Sequence, residues 1–316
     1  MKTVVAIGEI LVEILASQRG QTFLAPGLLE GPFPSGAPAI FIDQVAALGQ
    51  PCAMIGCVGN DDFGKLNVDR LREDGVDVSA IEVHPTAPTG SAFVTYRADG
   101  GRHFVFNIPH SASGFLEIAH AAQQVLAKAD HVHVMGSSLF SPVVIEAILT
   151  AARQVKLRGG TVSFDPNVRT EVAPGSEIAR AFDSLVEGCD LVLPSGQEIL
   201  TLTGASDESD AVVRLLDRGV GGIVLKRGDK GARYRSRADT MDVSPLPVVE
   251  RDPTGAGDCF GAAFVVCWLR GMSIKDCLRY ANAAGARKVL TRGPMEGVST
   301  FADLDAFLAG HGQQHA

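Results

Sequence analysis

Short, β-branched apolar runs recur along the chain, separated by longer stretches of helical periodicity. Val4 to Ile7, Ala53 to Ile55, His131 to Met135, Thr161 to Phe164, Leu191 to Leu193 and Gly222 to Leu225 are continuous rather than alternating. Such runs predict parallel strands covered on both faces. The helices between them have legible ends. Ser141 is placed as an N-cap with Pro142 in the first turn, and Gly159-Gly160 stops that helix. A second helix runs from Cys259 to Arg270 and stops at Gly271. The β-α-β-α order predicts a doubly wound α/β/α sandwich.

Two stretches break this rhythm. Residues 10–35 and 88–108 lack helical periodicity and are rich in turn formers. The run from Gly90 to Phe106 reads as a hairpin turning at Asp99-Gly100. A small β-sheet projecting from one main domain, residues 1–316, accounts for both. No internal repeat or low-complexity segment interrupts it, and the tail from His311 is expected to fray.

Composition narrows the function classes. The chain has 316 residues, with 28 Lys+Arg against 36 Asp+Glu and a formal net charge of -8. It has no basic tract, which argues against sequence-independent nucleic-acid binding. A few local Arg or Lys residues still leave room for a small anionic substrate. The six cysteines form no C-x-x-C pair and lie mostly in apolar runs, so buried free thiols in a reducing cytoplasm are expected. Glu9 and Glu13 interrupt the apolar N-terminus, which reads as a buried first strand rather than a signal peptide. No apolar run is long enough to span a bilayer, so no membrane partner is expected.

The chemistry concentrates in Asp252-Pro253-Thr254-Gly255-Ala256-Gly257-Asp258, directly before the helix at Cys259. Small residues let backbone N–H groups approach an anion, and the helix N-terminus adds about half a positive charge. A carboxylate at Asp258 opposes static phosphate binding, but it serves if it takes a proton from an attacking hydroxyl. The bland alternative is a capping carboxylate at a glycine-rich helix start. A dinucleotide fingerprint, and with it an NAD-dependent oxidoreductase, is opposed by the spacing. Gly255, Gly257 and Gly261 give G-x-G-x-x-x-G, one residue too long, late in the chain. Gly59 to Lys65 matches G-x-x-x-x-G-K, but Leu66 stands where a P-loop needs Ser or Thr, so it reads as a turn and helix start.

The segment at Asp252 to Asp258 resembles the C-terminal signature of the ribokinase-like, or PfkB, carbohydrate kinases. Ser35-Gly36-Ala37-Pro38-Ala39, with Leu48-Gly49 and Ile55 to Asp61, resembles the family's sugar-binding signature. Ser163 to Arg169 resembles the D-x-N-x-R segment of the fructokinase, tagatose kinase and 2-keto-3-deoxygluconate kinase branch. Val224 to Gly231 and Ala281 to Ala286 resemble the nucleotide-side elements. The resemblance implies a ribokinase-like α/β/α sandwich with a central, mostly parallel sheet and a small β-sheet lid through which two copies pair. It implies Asp258 as base, and Gly255, Ala256 and Gly257 as anion hole. Arg169 would face the phosphates or an anionic substrate group, and Glu13 and Gly36 the sugar. Lys226, Gly228, Gly231, Asn282 and Thr254 would border the nucleotide. Glu198 would hold Mg²⁺ through its water shell, and Asp252 and Thr254 would lie beside a monovalent cation, K⁺.

Three positions depart from the pattern. Ser35 replaces the first Gly of the sugar signature and Ile40 its Asn, so one sugar contact is lost or supplied elsewhere. Glu13 stands where the family usually has Asp. The N-x-x-E of the magnesium site reads Ser195-Gly196-Gln197-Glu198, keeping only the Glu. His131 and His133 share a strand face without a third ligand and are read as packing residues. Arg97 and Arg102 are read as a solvated face, with Asn107 and His110 as candidates to reach the sugar. The expected reaction transfers the γ-phosphoryl of ATP to a terminal hydroxyl of a ketohexose such as fructose or tagatose. 2-Keto-3-deoxygluconate comes second, and nucleosides and inositols share the architecture. A catalytically dead sugar-binding regulator is opposed by the intact Asp258.

Overall fold

The structure is a computed structural model that describes residues 1–97, 101–167 and 176–312. Its strands are β1 (Val4–Ile7), β2 (Leu11–Ala16), β3 (Leu29–Ser35), β4 (Cys52–Gly59), β5 (Asp77–His84), β6 (Gly90–Tyr96), β7 (Arg102–Asn107), β8 (His131–Met135), β9 (Thr161–Asp165), β10 (Leu191–Val192), β11 (Gly222–Lys226), β12 (Ala232–Arg235) and β13 (Thr240–Val243). Its helices are α1 (Ala37–Ala47), α2 (Asp62–Glu73), α3 (His120–Leu126), α4 (Pro142–Leu157), α5 (Glu177–Gly188), α6 (Gly196–Thr203), α7 (Glu208–Asp217), α8 (Ala256–Leu269), α9 (Ile274–Lys288) and α10 (Phe301–Gly312).

The main sheet runs β13-β12-β11-β10-β9-β8-β1-β4-β5. All neighbours from β11 through β5 pair in parallel, and β12 and β13 add an antiparallel edge. Successive side chains of a strand point to opposite faces, and β1 shows the result. Val5 and Ile7 pack into one core with Leu126 of α3, Ile148 of α4, Phe182 of α5, Ile199 of α6 and Leu215 of α7. Val4 and Ala6 pack into the other with Phe41 of α1, Leu71 of α2, Phe264 of α8, Leu278 of α9 and Leu304 of α10. The two cores are the fillings of an α/β/α sandwich, as the β-α-β-α order predicts. Helix α8 is apolar nearly all round because both its neighbours and the sheet cover it, and Cys259 through Cys267 are all buried.

A separate sheet, β3-β2-β6-β7, projects from one edge. It occupies the two stretches without helical periodicity. The strands β6 and β7 pair from Ser91↔Asn107 to Tyr96↔Arg102, and the turn expected at Asp99-Gly100 lies outside the described residues.

Local expectations meet local structure closely. Ser141 caps α4 by accepting the Val144 N–H at 3.4 Å, and Asp61 caps α2 by accepting from Gly64 N at 2.8 Å, so Gly59 to Lys65 is a turn and helix start. His131 is held by the hydroxyls of Thr161 (2.8 Å) and Ser163 (2.7 Å). His133 contacts the Ser163 hydroxyl at 2.6 Å and stacks on Phe41 with centroids 3.6 Å apart. Both are packing residues, and burial pushes both far below the usual histidine range. All six cysteines are free and buried. One boundary needs correction: α8 begins at Ala256, not Cys259, because Gly255 takes a left-handed conformation (φ 84°) that starts the helix early.

Candidate functional site

The carboxyl ends of the parallel strands converge on one cavity of about 1030 Å³, the place where open α/β sheets bind ligands. Glu9 follows β1, Ser137 follows β8, Asp165 ends β9 and Lys226 ends β11; all line this cavity. The lid covers it with Glu13 from β2 and with Arg102, His103, Phe104 and Phe106 from β7. The N-terminal turn of α8 supplies Gly255, Gly257 and Asp258. A second hollow of about 530 Å³, bordered by Thr3, Arg72 and Lys128, gathers no comparable set of acids and small residues.

The turn into α8 can only be built from glycine at its first position. A Cβ on Gly255 would lie 2.6 Å from the Pro294 carbonyl oxygen, and its φ is positive. At Gly257 a Cβ would point toward the Lys226 ammonium, 3.6 Å away, so the bare backbone there faces the cationic wall. The opening N–H groups of an α-helix have no partner within it. Ala256 turns its own N–H to Pro253 O at 3.3 Å, which leaves, of the three expected donors, those of Gly255 and Gly257, and beside them that of Asp258. Asp258 sits in this first turn. Burial and the neighbouring Asp165 raise its carboxyl from the usual 3.8 to about 7; Lys226 opposes the rise, and Glu9 and Glu13 add to it. A carboxylate poised near neutrality can accept a proton from a hydroxyl and release it again.

One side of the cavity is cationic. Lys226 forms an ion pair with Asp165 at 2.5 Å. Burial alone would lower this ammonium, but Asp165, Glu198 and Asp258 hold it above the ordinary lysine value. Asp165 in turn is raised by burial to about 6, with Lys226 opposing. Glu198 accepts from the Ser195 N–H at 2.6 Å in a capping box at the start of α6. Both it and Gly228 border the cavity.

The opposite side is acidic and hydroxyl-rich. Glu13 accepts from Ser35 Oγ at 2.9 Å through Oε1, while its buried Oε2 has no hydrogen-bond partner. Burial raises it to about 7; the Ser35 hydrogen bond opposes this and the charge of Asp252 adds to it. Glu9 accepts from Ser137 Oγ at 2.7 Å and also from Ser138 Oγ. Gly36, the N-cap of α1, has φ 113°, and a Cβ there would meet the Glu9 carbonyl oxygen at 2.4 Å. Ile40 lines the same wall. The polar contact it cannot make is therefore available from Glu9, which sequence reasoning treated only as a break in an apolar run. Its signal was positional: a charged residue one step past Gly8, at the carboxyl end of a central parallel strand.

The remaining candidates divide. Thr254 lines the cavity and accepts from Arg102 Nη1 at 2.9 Å. Arg102 is exposed, as a solvated face requires, and through it the lid also reaches the loop before α8. Asn107 and His110 are exposed and do not line the cavity, whereas Phe104 and Phe106 of β7 do. Gly231 lies outside the cavity, in the turn between β11 and β12, where a Cβ would meet the Val243 carbonyl oxygen at 2.1 Å. Asn282 is likewise outside it and donates to Ser244 O at 2.9 Å. Arg169 lies outside the described residues. Asp252 is buried behind the turn into α8, not in the cavity. Its Oδ1 accepts from Thr254 N (3.1 Å) and Tyr96 OH (3.3 Å), and its Oδ2 accepts from Gly293 N (3.0 Å). Among the described residues no three acids, histidines or cysteines cluster as a metal cage. Glu198 and Asp165 at the cavity wall are hard oxygen donors, the type a Mg²⁺ that keeps much of its water takes.

Comparison with known proteins gives one consistent result. The model of the pfkB family carbohydrate kinases matches residues 1–300. Fructokinase-1 of Oryza sativa subsp. japonica is 32% identical over 311 residues, covering 95% of this chain and 96% of the relative. An E. coli protein provisionally named ribokinase II, solved with ATP and Mg²⁺, is 48% identical with a TM-score of 0.94, covering 98% of this chain and 100% of that one. A double mutant of the fructokinase of Vibrio cholerae O395, solved with fructose, ADP and potassium, is 29% identical with a TM-score of 0.83, covering 98% of both chains.

Proposed function

The chain belongs to the pfkB family of carbohydrate kinases and is an ATP-dependent sugar kinase, and from that premise we propose that it phosphorylates a terminal hydroxyl of a ketohexose, fructose or tagatose. The observation that carries this is Asp258. Its carboxyl, raised to about 7, stands in the first turn of α8 between the Lys226 wall and the Glu13 wall of one cavity. The fructokinase relatives support the same sugar class.

In this reading the sugar lies under the lid, with its hydroxyls beside the carboxylates of Glu13 and Glu9. Asp258 takes the proton of the terminal hydroxyl as that oxygen bonds to the γ-phosphorus and the bond from phosphorus to the ADP oxygen breaks. The N–H groups at Gly255, Gly257 and Asp258, with the dipole of α8, stabilise the charge on the phosphoryl oxygens. Lys226 and Gly228 border the phosphates, while Gly231 and Asn282 flank the more distant part of the nucleotide. Mg²⁺ bound with ATP would neutralise charge on the phosphates, and Glu198 would hold it through its water shell. Arg102 and the Phe104-Phe106 pair close the site against water.

Two glutamates on the sugar wall favour a neutral sugar over 2-keto-3-deoxygluconate, whose carboxylate they would repel. Ribose is the second reading, favoured by the 48% identity to the E. coli protein named ribokinase II. We further propose a cytoplasmic enzyme paired through the lid. Support comes from Leu28, Leu29 and Val105, which leave large apolar side chains exposed on the lid, and from the six free thiols. Among the described residues no helix is long and apolar enough to cross a membrane. The test is kcat/KM with ATP across fructose, tagatose, ribose, 2-keto-3-deoxygluconate, inositol and nucleosides. Fructose or tagatose is expected to lead; a lead by any other sugar overturns the assignment.

A further inference from the structure

Lys288 is a buried charge that the reaction above does not use. It is the last residue of α9, and none of its surface is exposed. Its side chain runs behind the anion-binding turn, where its Cε lies 3.3 Å from the position a Gly255 Cβ would take. An ammonium has three donors, yet its one hydrogen bond is long, 3.4 Å to Thr291 O. A cation beside the positive end of a helix is unfavourable for α8, and burying one costs several kcal/mol unless nearby charge compensates. The compensation comes from Asp252, Glu13 and Asp258, which oppose the lowering that burial imposes on this lysine.

The same place is where a monovalent cation would be sought, beside Asp252 and Thr254. The Lys288 ammonium competes with a free ion there. Asp252 already accepts from Thr254 N, Tyr96 OH and Gly293 N, three of the roughly four bonds a carboxylate can accept. A second positive charge would also have to share the pocket of the Lys288 ammonium. The Vibrio cholerae fructokinase variant binds potassium; this chain carries a cation of its own.

We propose that Lys288 is a positioning residue whose ammonium serves as a tethered monovalent cation behind the Gly255–Gly257 turn, raising the positive potential of the anion hole without a free ion. The proposal rests on the sugar-kinase reading. Its charge acts through the backbone of the turn and touches no substrate. It therefore bears on the phosphoryl charge that develops during transfer, and on kcat more than on the KM for sugar.

The test is made with whichever sugar of the panel turns over fastest, so a wrong substrate assignment shows separately as a different sugar leading. ADP is measured directly in tetramethylammonium buffers, with and without added potassium or ammonium. Wild-type kcat is expected to stay within about twofold on adding either ion. Lys288→Met is expected to lower kcat at least about tenfold, less than the 10²–10³ lost when a direct oxyanion donor is removed, with KM for sugar little changed. Potassium or ammonium, but not tetramethylammonium, is expected to restore part of the lost kcat, because the cavity left by the ammonium admits a small cation. A purely structural lysine would show no such rescue. A wild-type kcat that rises tenfold with potassium, a variant that keeps its kcat, or a folded variant that no small cation rescues each overturns the proposal. Should Lys288→Met fail to fold, the wild-type cation titration still decides.

Discussion

Asp258→Asn is expected to abolish turnover and, in the ligand-free protein, to raise thermal stability at pH 8. Folding carries this carboxyl from water to a site where burial and Asp165 lift it from 3.8 to about 7. Below about pH 4 the folded and unfolded chains both hold the proton and no stability is lost. Between there and about pH 7 the unfolded chain ionises first and stability falls, and above about pH 7 the whole penalty is present. At about 1.4 kcal/mol for each pH unit, the ceiling is about 4 kcal/mol. Asp258 keeps partial contact with solvent through the cavity, and its acidic neighbours titrate with it, so about 2 kcal/mol is the figure to test. A chain of this length unfolds with an entropy of about 0.7 kcal/mol/K, which makes that about 3 °C in Tm. Calorimetry at pH 8 and pH 5 reads it directly. The gain should fall to less than half at pH 5, where most of the penalty has already gone. The reasoning is refuted if the folded variant gains nothing at pH 8, or gains the same at both pH values. A kcat above about a tenth of wild type would separately refute the general-base role, whose loss typically costs about 10²–10⁴ in rate. Nucleotide affinity should stay within a few-fold.

Gly257→Val should damage kcat more than the KM for sugar, because the new side chain would sit against Lys226 where the phosphoryl group must approach. A lost donor there costs about 2.7–4 kcal/mol, and a normal kcat in the folded variant would remove Gly257 from the anion hole. Glu13→Gln should raise the KM for fructose or tagatose by weakening a charged acceptor, an effect of about 1.5–3 kcal/mol. An unchanged KM, or a wild-type preference for 2-keto-3-deoxygluconate, would show that the acidic wall does not select the sugar. The pH profile of kcat/KM should fall as pH drops through about 7, where Asp258 and Glu13 both take up protons; a flat profile from pH 8 to pH 5 would contradict the raised carboxyls.

The buried parallel strands were legible because they are continuous apolar runs, and the turn into α8 because its glycines stand beside an acid. The edge strands β5, β12 and β13 left no such trace. β13 alternates exposed and half-buried positions over four residues, and β5 mixes Asp77, Ser79, Glu82 and His84 among its apolar positions. Lid strands were recognisable only as stretches where helical periodicity fails. In the site, Asp258, Gly257 and Lys226 were found from local motifs. Glu9 and Lys288 were not, because nothing local distinguishes them. Lys288 follows Arg287 at a helix end, where basic residues ordinarily face water and complement the dipole. Its burial depends on the approach of α8, a contact between segments that sequence spacing does not encode. The pairing of Lys226 with Asp165 likewise joins two strand ends 61 positions apart.

The six cysteines give this protein a set of internal clocks. Cys52 and Cys57 lie in β4, Cys189 just before β10, Cys259 and Cys267 in α8, and Cys277 in α9. All are buried, and burial lifts Cys57 to about 11 and Cys52, Cys189, Cys267 and Cys277 to about 12. A thiol reagent therefore modifies each one at the rate at which its surroundings open, not at the rate of the free thiolate. Cys259 is adjacent to Asp258, while Cys52 opens β4, next to the edge strand β5 and beside the second hollow. Their separate modification rates distinguish breathing of the active-site helix from unfolding of the whole molecule, and no engineered probe is needed to read them.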